Sequence, residues 1–194
     1  MAKEKMSKKW WVVIAVVAVI ILYVIFAYNS FVGLGQNING KWSEVENQYQ
    51  RQADLIPNLV SVVSSAVKVE TKFVQEVVEA RSRWQTAQTQ LDKDKAGVQM
   101  NNGIAALINA VATAENYPKL QANAQYVALT DELTGTQNRI SVARGRYIEA
   151  IQKYNIATMR FPAKIIASMF GFSAQDYYKA EEIKTPVLGE GKLP

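Results

Sequence analysis

Nineteen consecutive uncharged residues, WWVVIAVVAVIILYVIFAY at positions 10–28, leave this chain few ways to fold. A helix over them is about 28 Å long, close to the hydrocarbon thickness of a bilayer. It is apolar on every face, whereas a surface helix of a water-soluble domain keeps a polar stripe. Trp10 and Trp11 stand at one end, with Tyr23 and Tyr28 towards the other, as an aromatic belt would. A cleaved signal peptide needs a shorter apolar region and a small residue at −3. Here Ile25 holds that place relative to Ala27, and there is no cysteine to make a lipoprotein. The span is predicted to be a retained transmembrane helix.

Charge sets its direction. Lys3, Lys5, Lys8 and Lys9 precede the span, while Lys41 is the only basic residue in the twenty positions after Tyr28. The positive-inside rule puts the N-terminus in the cytoplasm and the rest outside the bacterial inner membrane. These lysines, set against Glu4, supply +3 of the formal charge of +5, so the body is nearly neutral. Such a body offers no basic face for nucleic acid.

After the span, apolar residues recur at helical spacing. Trp42, Tyr49, Ile56 and Val63 lie seven apart, with Val45, Leu59, Ala66 and Phe73 as companions and Gln52 as the exception. The stripe continues through Val74, Val77 and Val78 towards Trp84. Pro57 removes a backbone donor, so a kink or a restart is expected there. Leu91–Lys95 reads as a polar interruption before a second apolar stretch from about Val98 to Ala114. The strongest periodicity is a third segment, about Gln121 to Phe161. Tyr126, Leu133, Ile140, Tyr147, Tyr154 and Phe161 form its large row, and Leu129, Thr136, Ala143, Ala150 and Ala157 its small one. Pro162 ends it, and Ile165–Phe170 follows with Gly171 as a cap. The expected fold is all-α: an N-terminal transmembrane helix followed by an antiparallel bundle of three to four long helices. The expected divisions are a basic cytoplasmic tail (1–9), the span (10–28), the bundle domain (29–178) and a loose tail (179–194).

Chemistry is sparse. The chain has no cysteine and no histidine, which excludes Cys- or His-ligated metals and His-based proton transfer. Gly33-Leu34-Gly35 lacks the third glycine of a phosphate loop and reads as a flexible joint. Glu76, Glu79 and Arg83 have ordinary surface-pair spacing. Arg139, Arg144 and Arg146 spread over different helix faces and read as solvated. Asn58, Asn138 and Asn155 adjoin apolar positions, where a buried asparagine fixes register or meets a ligand. No catalytic, cofactor-binding or metal-binding residue is assigned, and no cofactor is expected.

Several blocks resemble the bacterial LemA family: Trp42-Ser43-Glu44-Val45, Arg51-Gln52-Ala53-Asp54-Leu55-Ile56-Pro57-Asn58-Leu59-Val60, and Ala114-Glu115-Asn116-Tyr117-Pro118. The likeness continues at Ala80-Arg81, Asn138-Arg139-Ile140, Ala143-Arg144, Tyr154-Asn155, Phe161-Pro162 and Phe170-Gly171-Phe172, and covers residues 28–178. The resemblance implies an anchored helical bundle in the bacterial envelope and no particular activity. Family members commonly carry a histidine before the glutamate matching Glu70; Val69 stands there, so no histidine role transfers.

These readings lead to a non-catalytic membrane-anchored scaffold or interaction protein. Lipid is one partner, a second copy another, and a different membrane protein a further candidate. The segment Ile165, Ile166, Met169, Phe170 and Phe172 is the candidate partner contact, being more apolar than a bundle end needs. A sensor holding a small ligand in the bundle core is the alternative, and a carboxylate or Ser-Lys enzyme a remoter one.

Overall fold

The computed structural model describes residues 8–66, 71–113 and 117–177. Lys3, Lys5, Val69, Glu70, the block 114–116 and the expected tail 179–194 lie outside the described residues. Among the described residues the chain is all-α, with no strand. The helices are α1 (Lys8–Ala66), α2 (Thr71–Thr86), α3 (Gln90–Thr113), α4 (Pro118–Gln121), α5 (Ala124–Met159) and α6 (Ala163–Met169).

Local chemistry sets the helix starts. Thr89 Oγ1 accepts a hydrogen bond from the Asp92 backbone N–H at 3.0 Å and donates to Asp92 Oδ2 at 2.7 Å. This N-cap, tightened by the hydroxyl-to-carboxylate bond, starts α3 at Gln90. Leu91–Lys95 is therefore helical and not an interruption, because capping outweighs the run's polarity. Asn123 Oδ1 caps α5 by accepting from the N–H groups of Gln125 and Tyr126 at 2.9 and 3.1 Å. The helix thus begins at Ala124, past the expected Gln121. At the end of α6, Gly171 takes a φ of +76° and the Phe172 N–H bonds the Ala167 carbonyl at 2.9 Å, a Schellman closure.

α1 continues through Pro57 and through residues 33–35 without a helix restart. Pro57 lies inside the continuous helix. Proline has no N–H for the carbonyl four residues back, here Ala53. Arg81 of α2 replaces it, its Nε donating to the Ala53 carbonyl at 2.8 Å. Gly33 and Gly35 are helical as well. A Cβ at Gly35 would lie 3.9 Å from the Tyr154 ring, an ordinary contact distance, and one at Gly33 would meet nothing within 4 Å.

The described residues form two compact units: residues 8–40 with 148–177, and residues 41–147. In the second unit every contacting pair fixes a direction. Trp42 meets Tyr147, Gln48 meets Arg139 and Arg51 meets Glu132, so α1 and α5 run antiparallel. Tyr49 near Trp84 and Ala53 with Arg81 set α1 against α2. Arg83 with Gln99, and Val77 beside Gly103, set α2 against α3. Gln90 with Tyr147 and Asp94 with Arg144 set α3 against α5. This unit is an up-down-up-down bundle.

Its core is the periodic one. Trp42, Val45, Tyr49, Ile56, Leu59 and Val63 are buried, as are Tyr126, Leu129, Leu133, Thr136, Ile140, Ala143 and Tyr147. In the first unit Ala150, Tyr154 and Ala157 continue the row and are also buried. Phe161 departs from it: α5 ends at Met159, the helical period is lost, and the ring is 83% exposed.

The Arg81 contact yields a test. Arg81→Ala should cost about 1–3 kcal/mol, the usual consequence of leaving a half-buried acceptor unmet. In a Pro57→Ala background, where the helix regains its own donor, the same change should cost little. Denaturant melts of the four proteins give the coupling. Equal costs in both backgrounds would mean that Arg81 does not serve the proline.

Candidate functional site

In the first unit, α1 passes from an unpacked stretch to a packed one. Trp10 and Trp11 are exposed, Tyr28 is exposed to 39% and Tyr23 to 38%. Ala27 and Phe31 then enter a cluster with Ala157, Ala163, Ile166 and Ala167, against which Val24, Leu34 and Phe172 also pack. Spacing explains the fit. Ala163, Ile166 and Ala167 lie on one face of α6, and the alanines let that face approach closely.

The candidate contact residues divide between two environments. Ile166 is buried and Phe172 packs on the same cluster, 5.3 Å ring to ring from Phe31. Phe170 touches the edge of Tyr28 at 5.2 Å while remaining half exposed. Ile165 and Met169 point away from the cluster and are exposed. The segment after α6 is pinned by Asn155, whose Nδ2 donates to the Gln175 carbonyl and whose Oδ1 accepts the Gln175 N–H, both at 2.8 Å. The buried Asn155 thus has a structural employment. Asn58 and Asn138 are exposed instead of buried, since neither falls on the packed face of its helix.

The second unit holds a buried ion pair. Arg144 Nη2 donates to Asp94 Oδ2 at 3.0 Å, with both side chains under 10% exposed. Tyr49 Oη reaches Asp94 Oδ1 at 3.5 Å. Burial, and then the Asp94 charge, push the Tyr49 phenol well above its ordinary range. Gly97 lies one turn from Asp94, and a Cβ there would come within 2.5 Å of the Tyr49 ring. Sequence reading placed Arg144 among solvated arginines. The three arginines do spread over different faces, but the face of Arg144 is the core face, and its partner Asp94 sits within the polar run 91–95.

Arg139 and Arg146 do stay at the surface. With Glu44, Asn47, Gln48, Asn138 and Val142 they line an open groove between α1 and α5. Arg146 pairs with Glu44 at 3.8 Å, and a hydrogen bond from Lys41 holds the Glu44 carboxyl below its ordinary range. Glu79 and Arg83 pair at 3.1 Å, both well exposed. Asn101 on α3 is 1% exposed and its amide has no protein partner. Glu44, the carboxylate in the groove lining, is paired with both Lys41 and Arg146.

A model of the LemA family matches residues 41–188. Among curated relatives, magnetosome proteins MamQ 2 and MamQ 1 of Paramagnetospirillum magneticum are each 26% identical, over 94% of this chain and 78% of theirs. Magnetosome protein MamQ of Magnetospirillum gryphiswaldense is 23% identical, over 86% of this chain and 72% of its own.

Two stability tests follow from the buried polar groups. Asp94→Ala should cost about 3–5 kcal/mol, because it strands the Arg144 charge. Asp94→Leu combined with Arg144→Met should recover most of that loss in thermal melts; no recovery would mean that the pair is not what holds this layer. The second test is pH-dependent. Burial raises the Tyr126 phenol to about 12 from an ordinary 10.0. The fold therefore favours the neutral ring, a contribution complete below pH 10 and lost as pH rises towards 12. Tyr126→Phe should shrink the alkaline fall in melting temperature across that window, with Tyr49 sustaining the remainder. An unchanged fall would show that Tyr126 contributes nothing to it.

Proposed function

The chain belongs to the LemA family, and from that premise we propose that it is a single-pass, non-catalytic interaction protein of the bacterial inner membrane that associates with copies of itself. The observation that carries this reading is the change of surroundings along α1. Its most apolar eighteen-residue window is only 6% buried, although α1 packs closely from Ala27 onward. A soluble monomer rarely keeps so large an apolar surface in water, and a bilayer covers it at the length observed. The names of the MamQ relatives give a cellular structure and no reaction, which supports a binding role over a catalytic one. The lysine bias favours a cytoplasmic N-terminus and an extracytoplasmic bundle. Anchors held in one plane raise the effective concentration of copies, which favours self-association.

Three measurements test the reading together. The intact mass of the purified protein should include the span; a mass beginning near Tyr28 would reveal a cleaved signal peptide. Protease added to spheroplasts should digest the bundle, and protection would invert the orientation. In nanodiscs at micromolar protein the chain should run larger than one copy by mass photometry, and a monomer there would remove self-association from the proposal.

A further inference from the structure

α6 is apolar on both sides. One side, Ala163, Ile166 and Ala167, is buried against α1 and α5. The other carries Ile165 and Met169, one turn apart and 56% and 74% exposed, between Phe161 at 83% and Phe170 at 48%. Only Lys164 and Ser168 are polar within this seven-residue helix. Such a face needs a cover, and its position along α1 says which.

The cluster that holds α6 includes Phe31 and Ala27 and is packed by Val24. Val24 and Ala27 belong to the last turn and a half of the apolar run 10–28. Phe170 and Phe172 both touch the ring of Tyr28, at 5.2 and 5.5 Å. A nineteen-residue span fills the hydrocarbon thickness, so Tyr28 stands at headgroup level. Whatever is packed on Val24–Phe31 stands at that level too. Arg160 and Lys164, both exposed beside this face, are placed to reach lipid phosphates while their stems lie along apolar surface.

We propose that the exposed face formed by Phe161, Ile165, Met169 and Phe170 is seated in the headgroup–acyl boundary of the same bilayer that α1 crosses, giving the chain a second, interfacial membrane contact. This rests on the reading of α1 as a membrane span. An interfacial helix buries its apolar side about 5–10 Å below the phosphates. Shallow immersion of this kind asks no backbone group to leave its hydrogen bonds.

The chain contains no cysteine, so single spin labels can be placed on the full-length protein without a background. Ile20→Cys, Ile165→Cys, Met169→Cys and Lys153→Cys would be labelled and reconstituted in nanodiscs of phosphatidylcholine and phosphatidylglycerol. All four positions are exposed, and circular dichroism checks that each variant keeps its helicity. Accessibility to dissolved oxygen and to a water-soluble nickel chelate then reports depth. The expected result is a deep label at Ile20, a label in water at Lys153, and labels at Ile165 and Met169 about 5–10 Å below the phosphates. If Ile20 is deep but Ile165 and Met169 are as open to nickel as Lys153, the interfacial contact is overturned and the span stands. If Ile20 is also in water, the span reading fails and takes this inference with it. If Met169 is shielded from both relaxants and shows spin coupling that unlabelled protein dilutes away, a second copy covers the face and the lipid assignment is overturned.

Discussion

Tyr49 occupies the space that a side chain at residue 97 would need, and much of the bundle unit depends on that exclusion. Glycine at 97 lets α3 approach α1 closely enough for the ring to lie over its backbone. One turn earlier, the same approach brings Asp94 beneath the Tyr49 hydroxyl, where Arg144 of α5 meets it. Three helices are thereby referred to one point. Two charges taken out of water are expensive unless they are paired, so this layer tolerates few other registers. The apolar rows above and below it provide most of the burial but specify register less sharply, since one aliphatic contact substitutes readily for another.

The other unit is held differently. Its contacts are small alanines and large rings: Ala27, Ala157, Ala163 and Ala167 among Phe31, Phe170 and Phe172. Polar control enters at Asn155, which treats the backbone of Gln175 as a neighbouring strand would, meeting its donor and its acceptor together. A short helix following a proline is a weak structure by itself. Here it is kept by the surface it covers on α1 and by the fixed course of the chain after it.

Much of this was legible in the sequence because it is periodic. The seven-residue rows in α1 and α5 identified buried residues from Trp42 to Tyr154, and the apolar run identified the one helix among the described residues long and apolar enough to cross a membrane. What escaped was aperiodic or pairwise. The Thr89 cap is a single hydroxyl that outweighs four charged residues. The Asp94–Arg144 pair joins residues fifty positions apart, and no spacing rule along one helix announces such a pair. Phe161 was misassigned because a seven-residue repeat in letters continues past the point where the helix stops. The proline in α1 read as a breaker because its remedy lies on another helix. Of the candidate contact residues, composition marked the segment correctly as apolar but could not say that Ile166 and Phe172 turn inward while Ile165 and Met169 turn out.

That proline has a further meaning for how α1 and α2 are aligned. Along an ordinary helix every mid-chain carbonyl is occupied, so a neighbouring arginine finds no preferred stopping place, and two packed helices can slip by a turn at small cost. Pro57 leaves one carbonyl, that of Ala53, without its regular donor, and Arg81 has a donor to give. The pair acts as a notch and pawl. A slip of one turn, about 5.4 Å, would carry the guanidinium to an oxygen already engaged and leave the notch empty. A residue usually counted against a helix thus serves here as its index mark, locating the neighbouring helix along an otherwise repetitive surface.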